Sequence, residues 1–574
     1  MADGTATSSS VDRSNHRILL DAPASSPELG YPKIADALAD IVTQSQPRFA
    51  IGIFGKWGSG KTTLMHEISR KLAPETIVTV QFVAWRYERE EHLIVPLLDT
   101  IREALFEWSE RNEPSDEARR LSRKTAEKVG LVMRAIVSGA SIKVGVPGAV
   151  DVSFDANKAL DTHQRLRKAK DEARVPRSFY HASFKALNDA FTQFAGPEKQ
   201  PERRIVVFVD DLDRCLPESA LQVIESMKLF FDIPGFVFVV GLDRDIVERV
   251  VNSKFRTADG NGDGASDKLV LGNEYIKKIF QVPYDLAPVT REQLADFLAS
   301  TYKEAGLPPT QLAEFHGTVK IHLDSLAQEG VVNPRELKRY LNAYTITMKI
   351  HPELDPDTVL AVLTVSFRPD WEACESALLL NGNVFTDALK KYHAGNQNAF
   401  ADVGIELQPS PEFIEYTDAS SGPGRALLDL SEVNPYIRVL GAAQPTGHPE
   451  VLQVLPRIGE VRRELADART DRSAFPAKVA QAQSALGLVL SALGPSPDPL
   501  GRIINGDIVQ FNGAAQNAMK QDPNTPDEEV QRQVDNLLAI LERIARNLLA
   551  LYRLPRGADA PNPDADVPQS GAVA

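Results

Sequence analysis

Phe49-Ala-Ile-Gly-Ile-Phe54, then Gly55-Lys-Trp-Gly-Ser-Gly60-Lys61-Thr62, then Leu64-Met-His-Glu-Ile-Ser-Arg-Lys-Leu72 is the stretch from which the fold is read. A short apolar run bounded by glycine reads as a buried strand, and the apolar spacing behind the loop reads as a helix. The loop between them has the G-x-x-x-x-G-K-T spacing of a complete Walker A element.

The residue types follow from the chemistry of a polyphosphate. Inward-pointing backbone N–H groups must crowd around the anion, and Gly55, Gly58 and Gly60 let the chain curl without Cβ clashes. Lys61 is placed to reach the β and γ phosphates. The Thr62 hydroxyl can hold Mg²⁺, and the helix that starts there turns its positive end toward the anion. The expected nucleotide-binding set is Gly55, Trp57, Gly58, Ser59, Gly60, Lys61, Thr62 and Thr63. No N-K-x-D guanine signature appears, so ATP is the expected nucleotide.

Outward from this loop, strands and helices alternate. A helix is expected over Tyr31–Val42, strands over Ile77–Val83, Arg204–Asp211 and Gly235–Gly241, and helices over Leu93–Trp108, Phe179–Phe194 and Ala220–Phe230. Tyr275–Tyr284 reads as a helix end passing into a last strand. Continuous apolar strands between helices predict a parallel sheet covered on both faces, a three-layer α/β/α fold. Charged helical stretches over about 110–176 read as an insertion. Asn333 and Pro334 open a later helix as cap and first residue, and residues 350–553 read as largely helical. Residues 1–20 and the Pro- and Ala-rich tail from 554 read as disordered.

Composition narrows the class. A chain of 574 residues exceeds one ordinary core. The net charge of −14 disfavours a broadly basic nucleic-acid-coating surface. Cys215 and Cys374 make no disulfide framework or zinc site, and the opening residues lack a secretory signal, so a cytoplasmic location is expected. In the apolar window 130–150, Arg134 and Lys143 argue against a membrane span.

Hydrolysis needs carboxylates at the end of a neighbouring strand to hold the metal and to aim a water. Asp210 is the expected Mg²⁺ holder, with Thr62. Asp211 is the expected water-orienting residue, at a position where many related enzymes have Glu. Arg214 reads equally as a structural ion pair with Asp213 or a nearby acid.

Ile53–Thr63, Ala84-Trp-Arg-Tyr-Glu88, Asp210-Asp-Leu-Asp-Arg-Cys215, Gly241-Leu-Asp-Arg244 and Asn333-Pro-Arg-Glu-Leu-Lys-Arg339 together resemble the KAP family of P-loop NTPases over roughly residues 20–390. The resemblance implies a relative of AAA+ and STAND ATPases. It implies a nucleotide-binding core over 21–289, a helical lid over 290–390 and a helical C-terminal region over 391–553. It further implies that Asp243 touches the γ phosphate or attacking water, and that Arg335 reports nucleotide state. Many members carry membrane helices between the two Walker elements; here that place holds the charged segment. Such proteins are associated with mobile elements and anti-phage defence, including a four-component system with a queuosine-synthesis-like enzyme and a nuclease-like protein. A nucleotide-gated scaffold with negligible turnover and a nucleic-acid-acting ATPase stand as alternatives. Protein partners are expected through the helical C-terminal region, and a homo-oligomer is left open.

Three further signals carry less. Asp259, Asn261 and Asp263 resemble the first half of a calcium loop, but Val270 stands where the bidentate Glu belongs, which favours a plain loop. Trp85 and Tyr87, after a strand, read as core packing in preference to base stacking. Thr525-Pro526-Asp-Glu528 reads as a capping box opening a helix striped by Val530, Val534, Leu537, Leu541, Ile544, Leu548 and Leu551. That stripe fits an intramolecular bundle better than a coiled coil.

Overall fold

Runs of Val, Ile and Phe make five parallel strands: β1 Phe49–Phe54, β2 Ile77–Val83, β3 Arg204–Asp210, β4 Phe236–Leu242 and β5 Val282–Asp285. The computed structural model describes residues 13–24, 29–90, 93–138, 178–197, 201–231, 233–246, 248, 276–327, 331–430, 432–443, 448, 450–468, 472–494, 498–520 and 526–554. These fall into two compact units, one within 22–300 and the other within 13–21 and 301–554.

In the first unit the sheet order is β2-β3-β4-β1-β5. Pairing is parallel throughout, with Phe54 opposite Leu242, Val209 opposite Val240 and Val83 opposite Asp210. The chain leaves β1 for the far edge and returns through β3 and β4, so the ends of β1 and β3 open on one edge with β4 between them. That crevice is where doubly wound sheets bind ligands.

Strand alternation divides the core into two layers. Val206, Phe208, Val237 and Val239 face helices α1 (Tyr31–Gln44) and α2 (Lys61–Lys71). Ile205, Val207, Val209, Phe236, Phe238 and Val240 face the other side. That layer is built from α3 (Ile94–Glu110), α4 (Asp116–Ser138), α5 (Ser178–Ala195) and α6 (Pro217–Lys228). The expected α/β/α layering is therefore present.

Within the stretch read as an insertion, residues 116–138 form helix α4, which packs on α3 and α5 with Ala126 and Val129 buried in the shared core. Its charges occupy the solvent face, which hid the apolar stripe beneath. Residues 139–177, with most of the apolar window, and the calcium-like loop at 259–264 lie outside the described residues. Among the described residues no helix is long and apolar enough to cross a membrane.

The second unit is helical. It includes α7 (Pro334–Ile350), α8 (Glu372–Asn381), α9 (Val451–Asp467), α10 (Phe475–Leu493), α11 (Pro499–Met519) and α12 (Asp527–Arg553). The α12 stripe from Val530 to Leu551 is buried, and the helix packs on α9 and α11 as a bundle member. Pro526 holds the cap position, and Thr525 lies outside the described residues. The disorder expected for residues 1–20 does not extend to 13–20. Arg13 pairs with Glu314 at 2.8 Å, and Leu19 exchanges two hydrogen bonds with the Asn342 side chain at 2.6 and 2.8 Å.

His322 is buried in this unit, sharing a 2.9 Å hydrogen bond with the Tyr416 hydroxyl. Burial pushes its imidazole down from 6.5 to about 4. The fold therefore prefers the neutral ring, and this stability is full above the unfolded value and lost as pH falls through the window between the two. The shift corresponds to about 3 kcal/mol. Unfolding midpoints followed down that window should fall in the wild type and fall less in His322→Gln.

Candidate active site

The loop after β1 is held in place from several sides. Gly55 N–H donates to Leu242 O at 3.2 Å, and Ser59 N–H to Lys56 O at 3.1 Å. Gly58 and Gly60 take φ of 83° and 98°, in the left-handed region. A Cβ on Gly60 would also lie 2.3 Å from the Tyr31 hydroxyl, which itself donates to Ser59 O at 2.8 Å. Burial and neighbouring Tyr284 push the Tyr31 phenol up to about 12, so it remains a donor. Gly60 caps α2, whose first residue is Lys61. Thr63 Oγ1 accepts from Ala24 N–H at 3.3 Å, and Trp57 stands 49% exposed on the loop.

The side chain of Lys61 is almost buried at 7% exposure. Its ammonium donates to Gly55 O at 2.9 Å, Lys56 O at 3.2 Å and Asp213 Oδ2 at 3.1 Å. Asp210, ending β3, accepts at Oδ1 from Asp211 N–H at 2.9 Å. Gly241 of β4 stands between them: a Cβ there would meet Asp210 Oδ1 at 3.4 Å, Lys61 Cβ at 3.6 Å and Met65 Sδ at 3.0 Å. Glycine there leaves open the space between lysine and carboxylate that the methyl groups of a larger residue would fill. Gly241→Val should therefore displace both and weaken nucleotide affinity by about a hundredfold, measured by titration with ATP and Mg²⁺.

Asp211 adopts φ 55° and ψ 30°, a left-handed conformation that costs a non-glycine residue energy. Its Oδ1 pairs with Arg214 Nε at 2.9 Å and its Oδ2 accepts from Trp85 Nε1 at 3.1 Å. Burial raises the Asp211 carboxyl above its ordinary range, Asp210 and Asp213 add to the rise, and Arg214 and Trp85 oppose it. Arg214 thus pairs with an acid, but with Asp211.

Tyr87 stacks on Phe82 at 5.3 Å, as core packing requires. Trp85 does otherwise, standing 43% exposed beside Asp211. Its ring contributes a donor that the strand-end position alone did not disclose.

Asp243 follows β4, whose last residue Leu242 accepts from Gly55 N–H, and its Oδ1 accepts from Asp245 N–H at 3.1 Å as a turn cap. Arg335 belongs to the other unit, at the start of α7. There its N–H donates to Asn333 Oδ1 at 3.0 Å and its Nε meets Asp21 Oδ2 at 2.6 Å. Asp213 and Tyr31 escaped the sequence reading. Asp213 shows only as a third acid after the strand, and Tyr31 only as an apolar position on a helix.

The arrangement fits an anion and a hard cation. Ser59 Oγ is buried without a hydrogen-bond partner among the described residues. Thr62 and Asp210 offer the oxygen donors magnesium takes. Among the described residues no cluster of three or more His, Cys, Asp or Glu forms a metal cage.

A family model described as the KAP family P-loop domain matches residues 31–351. An uncharacterized protein of Methanocaldococcus jannaschii is 25% identical over 177 residues, 29% of this chain and 90% of that protein. The phage T7 exclusion protein of Escherichia coli K12 is 24% identical over 258 residues, 41% of this chain but 30% of its own length. The human kinase D-interacting substrate of 220 kDa is 22% identical over 120 residues, 21% of this chain and 6% of that protein. Among solved structures, the Walker-type ATPase of Pyrococcus abyssi aligns at 12% identity and a TM-score of 0.26, covering 69% of this chain and 87% of its own. The Drosophila origin recognition complex bound to GC-rich DNA and Cdc6 aligns at 10% and 0.22, covering 92% and 72%. Scores of this size add nothing to the sheet order already described.

Proposed function

This chain belongs to the KAP family of P-loop NTPases, and on that premise we propose that it binds ATP with Mg²⁺ in the loop after β1 and hydrolyses it. The observation that carries the reading is the meeting of Lys61 and Asp210 on either side of Gly241. Lys61 draws in the β and γ phosphates, and the N–H groups of Gly58 to Thr62 line the anion with Trp57 at its rim. Thr62 and Asp210 hold the metal, which when bound neutralises charge developing on the phosphates. Asp211 and Asp213 supply carboxylates beside them. Asp243, after β4, contacts the γ-phosphate side, and Arg335 responds to nucleotide state.

The hydrolysis cycle drives a conformational or assembly change passed on by the helical unit to protein partners. Similarity to the phage T7 exclusion protein of E. coli supports a place in bacterial anti-phage defence. The free, buried Cys215 and Cys374 fit a reducing cytoplasm. A low-turnover scaffold is favoured by one observation: both Asp211 oxygens are engaged by Trp85 and Arg214. Phosphate release by the purified chain decides between the two. Magnesium-dependent, chelator-sensitive turnover supports the ATPase; binding with no release under single-turnover conditions supports the scaffold.

A further inference from the structure

Two acids follow Asp210, and the chain gives them different partners. Left-handed Asp211 has both oxygens taken by Trp85 and Arg214. The short turn Leu212–Arg214 then brings Asp213 round to the loop, its side chain 5% exposed and its Oδ2 3.1 Å from Lys61 Nζ. A lysine ammonium has three donors, and here they face Gly55 O, Lys56 O and Asp213. Of these acceptors only Asp213 is charged, so a phosphate drawn to Lys61 competes first with that carboxylate.

Resting on the ATPase reading, we propose that Asp213, not Asp211, is the base for the attacking water, and that Lys61 uncovers it by exchanging Asp213 for the phosphates. The ammonium moves its charge onto the β and γ oxygens, leaving the Asp213 carboxylate beside the γ phosphorus. The water oxygen forms the bond to that phosphorus while the bond to the β-phosphate oxygen breaks, its electron pair leaving with ADP. The water proton passes to Asp213 and then to the departing phosphate, after which Asp213 pairs with Lys61 again. Asp211 is a positioning residue that fixes Trp85 and Arg214 at the rim.

The test uses full-length protein, titrated with ATP and Mg²⁺ and then followed through one turnover. Asp213→Asn keeps the shape and a polar contact to Lys61 but cannot take the proton. It should bind ATP at least as tightly as the wild type, because an anion no longer competes for Lys61, and should hydrolyse it about 10²–10⁴-fold more slowly. Asp213→Glu should recover part of the rate. An Asp213→Asn protein that turns ATP over at the wild-type rate overturns the assignment, as does one that loses ATP binding together with hydrolysis. Wild-type protein that binds ATP and never cleaves it overturns the ATPase reading itself, and this assignment with it.

Discussion

Lys61→Ala is expected to reduce ATP hydrolysis by about 10²–10³-fold, and Asp210→Ala by a comparable factor. The lysine is nearly buried beneath the loop, where a positive charge acts on phosphate far more strongly than in water. Alanine leaves the Gly55 and Lys56 carbonyls and the Asp213 carboxylate facing the anion without the cation that reconciles them. The two variants should separate by mechanism. Lys61→Ala should weaken ATP binding with or without metal, whereas Asp210→Ala should chiefly remove the benefit of added Mg²⁺. Combining them should cost less than the product of the single losses, because both act on one transition state. Phosphate release and ATP titration, each with and without chelator, measure all of this.

Gly459→Ala should produce the largest loss of stability in the helical unit, about 3 kcal/mol or more. A Cβ at Gly459 of α9 would lie 1.7 Å from Leu380 O of α8. The obstacle is a backbone carbonyl, which cannot swing aside as a side chain would, so the helices must separate. Separation disturbs Ile458 and Val461, both fully buried, and the 2.5 Å hydrogen bond from Arg463 to Asn381. Gly487→Ala is the control. It sits within α10 with nothing within 4 Å of an added Cβ, and should raise stability by about 0.4–1 kcal/mol. Thermal unfolding of the two variants side by side should move the midpoint in opposite directions.

The phosphate loop was legible because its chemistry restricts residue type at fixed spacing. Glycine, lysine and threonine positions, a strand before and a helix after leave few other readings. The parallel sheet was legible because β3 and β4 are apolar without interruption, as strands covered on both faces must be. What escaped has a common physical cause: it depends on which way the chain turns after a strand. Asp211 and Asp213 look alike in sequence, yet a left-handed residue and a short turn send one to Trp85 and the other to Lys61. Gly241 reads as an ordinary strand glycine until Asp210 and Lys61 are found against it. The packing of helix α4 on the core was hidden by its solvent-facing charges, since its buried residues are partly small ones such as Ala118 and Ala126.

The most direct measurement of the central claim is the position of the γ-phosphate in crystals of this chain grown with a non-hydrolysable ATP analogue and Mg²⁺. The expected complex has the γ-phosphate on Lys61, the metal between Thr62 and Asp210, and Asp213 released from the lysine toward the phosphorus. A nucleotide seated elsewhere, or one seated in the loop with Mg²⁺ distant from Asp210, would contradict it.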